Sequence, residues 1–158
     1  MCVSAADISS PGSNSSAVCS GGEECSLQVL FSALGSLPRL RSVTVCSLTC
    51  AGKVLVVDAA AAAVLGRAVN QLTRLQLSDT GLTDAAVDVL VAAGLTRLRR
   101  LVLDSNPGVT AAVLPDSLVV GLCELRELSV MRTGIRVDAA AFKARMLGLL
   151  PRLVIKSS

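Results

Sequence analysis

The sequence predicts an α/β fold: a right-handed solenoid with parallel strands on its concave side and helices on its convex side. Three observations predict it. The stretch from Leu72 to Leu82 places apolar residues at Leu72, Leu75, Leu77 and Leu82, with the small polar Thr80 before the last. The same pattern returns at Leu98, Leu101, Leu103 and Asn106, and again at Leu125, Leu128, Val130, Thr133 and Ile135. Leu150, Leu153 and Ile155 begin another copy, and Leu40, Val43 and Val45 form a weaker one upstream. The first leucines of these copies lie 32, 26, 27 and 25 residues apart, a period that signals stacked supersecondary units. Each unit leaves apolar surface open on two sides, and only a neighbouring unit can cover it. Composition agrees: 52% of the chain is apolar but 1% is aromatic, which suits thin layers of Leu, Val and Ala.

These copies match L-x-x-L-x-L-x-x-N/C/T-x-L, and the chain therefore resembles the leucine-rich repeat superfamily over residues 37–158. The period near 26 and the T-G-L-T-D turn at 80–84 are most similar to the α/β units of the ribonuclease-inhibitor-like and cysteine-containing types. The resemblance implies a horseshoe segment and a binding role. Position 106 carries the family's Asn, positions 80 and 133 carry Thr, and the unit starting at Leu40 has Leu48 at that place.

Taken in order, residues 1–22 are rich in Ser, Gly and Ala and have too little apolar surface to order themselves, so they are expected to be a disordered arm. The repeat domain is expected over 23–158. Leu27, Leu30, Phe31, Leu34 and Leu37 follow helical spacing, with Glu23 and Glu24 at the dipole-favoured start. A strand follows at 42–46. Val54 to Val57 reads either as a second strand pairing back on 43–45 or as a loop insertion. The alanine run Ala59–Ala63 favours a helix at 58–69. Then come a strand at 73–77, a helix at 84–93 with Val87, Leu90 and Val91 inward, and a strand at 99–103. Asn106-Pro107-Gly108 marks a turn, and the next helix is expected to start at Pro115. A strand at 126–130, a helix at 138–149 with Phe142, Met146 and Leu149 on one face, and a strand at 152–155 complete the chain.

The charge balance limits the function. A net charge of +3 without histidine is too mild for nucleic-acid binding. The most apolar region, Val54 to Val69, is interrupted by Asp58 and Arg67 and is too short for a bilayer. The N-terminus lacks a basic start followed by an apolar run, so a secretory signal is not expected, and Asn14-Ser15-Ser16 reads as a chance glycosylation pattern. The expected compartment is the cytoplasm. The six cysteines show no C-x-x-C spacing and are read as free thiols, Cys123 as a small buried one, rather than as a metal site in which Cys2, Cys19 and Cys25 of a folded-back arm complete the pair Cys46 and Cys50. No metal or cofactor is expected.

Catalytic signals are weak. The commonest general base is missing, and no glycine-rich phosphate loop is present. Asp79 and Asp104 are the best carboxylate pair, and they read as solvated turn acids rather than a dyad. The arginines say more. They make up 12 of the 15 basic residues, and Arg39, Arg41, Arg74, Arg97, Arg99, Arg100, Arg126 and Arg152 cluster where strands begin. Stacking the copies puts Arg74, Arg100, Glu127 and Arg152 in one column, either a basic stripe for an acidic partner or a set of cross-strand ion pairs. Further columns hold Cys46, Ser78, Asp104, Met131 and Lys156, and Gln76, Val102, Ser129 and Val154. In them Met131 and Val102 are candidate apolar anchors.

The function expected is a non-enzymatic protein-interaction scaffold. Its contacts on the concave strand face are expected at Arg74, Arg100, Asp104, Met131 and Arg132, toward a protein partner of unknown identity. Alternatives are a substrate-recognition module of a ubiquitin ligase complex and a structural fragment of a longer repeat protein that self-associates through an uncapped end. A hydrolase using Cys46 or Asp104 is a distant one.

Overall fold

A computed structural model describes residues 2–5, 15–16, 31–34, 36–37, 40–46, 49–50, 53–54, 56–68, 71–111, 121–135 and 139–157. The architecture is α/β. Strands β1 (Cys2–Ala5), β2 (Ser15–Ser16), β3 (Ser42–Cys46), β6 (Arg74–Ser78), β7 (Arg100–Val102), β8 (Glu127–Ser129) and β9 (Val154–Lys156) form one sheet in the order β2-β1-β3-β6-β7-β8-β9. The five strands from β3 through β9 in that order are parallel. Strands β4 (Thr49–Cys50) and β5 (Lys53–Val54) make a separate antiparallel pair. Helix α1 is Ala59–Ala68, α2 is Asp84–Ala92 and α3 is Ala139–Leu149; residues 31–34 are also helical.

The sheet follows from alternation. Leu75 and Leu77 of β6, Leu101 of β7, Leu128 of β8 and Ile155 of β9 are buried, as are Val43 and Val45 of β3. They form one core with Leu65 of α1, Val87 and Leu90 of α2 and Phe142 and Met146 of α3, so the helices lie over the leucine face. The opposite face carries the intervening residues, mostly polar, with Val102 and Val154 among them. Asp58 caps α1, its Oδ1 accepting the Ala61 N–H at 2.8 Å, as an N-cap acid does. Gly94, at φ +91, ends α2 in a left-handed conformation that a side chain would resist, and its N–H reaches back to the Val91 carbonyl.

The exits of β6, β7 and β8 are built the same way. Asp79, Ser105 and Arg132 all have φ between 54 and 58°. The residue after each, Thr80, Asn106 and Thr133, is buried. Asn106 carries the largest share of the bonding at these corners. Its Oδ1 accepts from the Thr80 and Leu82 N–H groups at 3.0 Å each. Its amide donates to the carbonyls of Leu77 at 2.7 Å and Leu103 at 2.9 Å. Backbone groups in two neighbouring layers, which burial cuts off from water, are thus satisfied by one side chain. Among the described residues, the Thr133 side chain donates only to the Val130 carbonyl, at 2.9 Å.

Several expectations differ from the structure. Val54 does not pair back on 43–45; Lys53–Val54 pairs with Thr49–Cys50 instead. Leu149 is 45% exposed because it is the last residue of α3, and the chain packs the next residue, Leu150, against the core instead. Cys123 is exposed, because the turn that bonds the Leu125 N–H to the Leu122 carbonyl directs the two leucines inward. Within the expected arm, Cys2–Ala5 pairs antiparallel with β3, Cys2 opposite Cys46, and so covers an edge whose backbone groups would lack partners. Ser15–Ser16 pairs antiparallel with Cys2–Ala5; the rest of 1–22, the expected helix start at 23–30 and the start of the helix expected at Pro115 lie outside the described residues.

Candidate functional site

The open face of the sheet is organised in rows set by strand register. One row aligns Ser42, Arg74, Arg100, Glu127 and Val154. Arg74 and Arg100 are exposed, as cross-strand neighbours of like charge. Glu127 relieves that repulsion. Its carboxylate meets Arg100 at 3.4 Å and Lys156 at 2.6 Å. The Lys156 hydrogen bond is the main reason the Glu127 carboxyl is held below the usual glutamate value; burial opposes it, and the charges of Arg100, Lys156 and Arg74 reinforce it.

Arg152 is not in this row. Val154 faces Glu127, and Lys156 faces Ser129, two residues away from the alignment expected from the leucine pattern. The next row is therefore Gln76, Val102, Ser129 and Lys156. Val102 and Ser129 are buried, at 6% and 4% exposure, so Val102 is not the exposed anchor that alternation alone suggests.

Beyond this row the face ends in a second group. Asp104 Oδ1 accepts the Ser129 hydroxyl and the Met131 N–H, both at 2.8 Å. That carboxylate fastens the exit of β8 to the preceding layer and leaves Met131 39% exposed beside it. Arg132, exposed, occupies the left-handed corner that follows. The five residues expected to contact a partner thus separate into two groups. Arg74 and Arg100 sit together at the strand starts; Asp104, Met131 and Arg132 sit together at the exits. Asp79 is exposed, and its N–H donates to the Asp104 carbonyl at 3.0 Å. Among the described residues, no three His, Cys, Asp or Glu side chains converge to hold a metal.

The strand starts carry a feature that the expected contact set omits. Here two successive N–H groups converge on one carbonyl of the preceding layer: Thr73 and Arg74 on Arg41, Arg99 and Arg100 on Thr73, Arg126 and Glu127 on Arg99. This repeated ladder places Arg99 and Arg126 side by side just ahead of their strands. A cleft of about 550 Å³ opens there, walled by Arg99, Arg126, Arg152 and Glu124 and by the apolar Leu150 and Pro151. A smaller one of about 300 Å³ adjoins it and shares Arg99 and Arg126. The signal in the sequence was an arginine just before each strand, in T-R-L-R-R, E-L-R-E and P-R-L.

Guanidinium groups in this setting can bind carboxylates or phosphates in a bidentate manner. Among the described residues, no helix is long and apolar enough to cross a membrane. No family model matches the chain, and no curated protein matches its sequence.

Proposed function

We propose that the protein is a non-enzymatic protein-interaction scaffold of the cytoplasm. In this reading its layers are successive leucine-rich repeats of a right-handed solenoid, and it binds a protein partner on the concave strand face. The recurring corner supports the repeat reading: Thr80, Asn106 and Thr133 are buried one residue after the left-handed Asp79, Ser105 and Arg132. The parallel strands also neighbour one another in chain order.

The observation that carries the binding reading is the exposed, register-aligned pair Arg74 and Arg100, with exposed Met131 and Arg132 at the exit of the next strand, β8. Charge around one flexible apolar side chain is the makeup of a small hot spot with a polar rim. Asp104 holds Met131 in place through its backbone N–H.

The test is affinity capture from the source cell, with the captured partner then titrated against variants. Arg100→Glu and Met131→Asp are expected to weaken binding, while Lys143→Glu, an exposed change on α3, leaves it unchanged. Loss of binding with the helix variant alone overturns the assignment of the strand face.

A further inference from the structure

We propose that the cleft at the strand starts is a docking site for an extended acidic segment of a partner protein, its carboxylates bound by Arg126 and Arg152. This deepens the scaffold reading and rests on it, but uses a different surface from the Met131 group.

The charge arrangement carries the inference. The one acid lining the cleft among the described residues, Glu124, engages Arg99 at 3.5 Å. Glu127, in the adjoining cleft, engages Arg100 and Lys156. Arg126 and Arg152, both exposed, have no ion-pair partner among the described residues. The two flank one cleft, on the approaches to adjacent strands. Adjacent strands lie about 4.8 Å apart, and the register sets Arg152 one residue along from the position opposite Arg126, a spacing within reach of neighbouring acidic side chains of one peptide.

The walls select the class of partner. Leu150 is half-buried and Pro151 exposed, so the cleft offers an apolar surface beside the two guanidinium groups. A peptide bearing an apolar residue between acids satisfies both. A nucleic acid does not fit as well. Sequence-tolerant strand binding relies on aromatic platforms, and the two phenylalanines, with no Trp or Tyr in the chain, are both buried.

The experiment is fluorescence anisotropy with the full chain and a short labelled peptide of glutamates around one leucine, with its glutamine counterpart as the control. At low salt the glutamate peptide should bind and the glutamine peptide should not, and binding should weaken as salt rises. Arg126→Gln and Arg152→Gln should each weaken binding by about two- to fivefold, and together by on the order of tenfold, as exposed charge pairs do. Both side chains are exposed, so melting temperatures should be unchanged, and Met131→Asp should leave the peptide bound. The proposal is overturned if the wild-type chain ignores the peptide, or if the double variant binds it equally well. It is likewise overturned if an oligonucleotide displaces the peptide at lower concentration than free peptide does. Loss of peptide binding through Met131→Asp alone overturns the cleft but leaves the strand-face reading standing.

Discussion

The carboxamide oxygen of Asn106 accepts the N–H of Thr80 at 3.0 Å from the layer ahead of it, while the Asn106 amide donates to the Leu77 carbonyl at 2.7 Å. One buried side chain thus bonds both polarities of a neighbouring backbone. Asn106→Ala strands the N–H of Leu82 as well, and is expected to destabilise the fold by on the order of 3 kcal/mol or more, since each unsatisfied buried group costs about 1–3 kcal/mol. Thr133→Ala removes one bond and should cost about 1 kcal/mol. Urea denaturation of the two variants checks the order; equal losses would contradict the role given to Asn106.

Leu101 lies between register partners Leu75 and Leu128 and is 1% exposed. Leu101→Ala is expected to cost about 2–5 kcal/mol, through lost transfer energy and the cavity left behind. A loss under about 0.5 kcal/mol, the scale of surface changes, would mean that the core register is misassigned.

Gly134 and Gly148 should respond oppositely to alanine. A Cβ on Gly134 would stand 2.7 Å from the Pro107 carbonyl oxygen and 2.9 Å from that of Val109, both backbone atoms that cannot swing aside. A Cβ on Gly148, in α3, meets nothing within 4 Å. Gly134→Ala should therefore lower the melting temperature, and Gly148→Ala should raise stability by up to about 1 kcal/mol through helix propensity. Thermal melts of the pair decide it.

Glu127 gives a pH signature. Its carboxyl is held below the usual value by Lys156 first, then by Arg100 and Arg74. A depressed folded-state pKa contributes stability that is present above the unfolded value and is lost as pH falls through the folded one. Glu127→Gln should thus be slightly less stable than wild type near neutrality, by less than about 1 kcal/mol for so exposed a cluster, and the gap should close in acid. A gap that persists well below the ordinary glutamate range would mean that packing, not charge, accounts for it. High salt should shrink it at neutral pH.

Arg126 and Arg152 are expected to be neutral for stability, because both are exposed and have no ion-pair partner among the described residues. Melting temperatures of the single glutamine variants within about 1 °C of wild type, the effect of a few tenths of a kcal/mol or less, would agree with a surface held for binding rather than for folding.

Sequence alone determined which strand residues face the core. Leu75, Leu77, Leu101, Leu128 and Ile155 are buried because strand side chains alternate with period two, and the period of the copies aligned Arg74, Arg100 and Glu127 correctly. Tertiary structure decided what that pattern leaves degenerate. A two-residue slip keeps every side chain on its own face, so hydrophobicity could not distinguish Arg152 from Val154 opposite Glu127; backbone pairing did, and it brought in Lys156 as the second cation. Burial of Val102 and exposure of Cys123 depend on neighbours and on turn geometry, not on residue type. The left-handed corners at Ser105 and Arg132 have no glycine to announce them. The arginine cleft forms only where several layers meet, because side chains some 25 residues apart in sequence become neighbours when strands pair at about 4.8 Å.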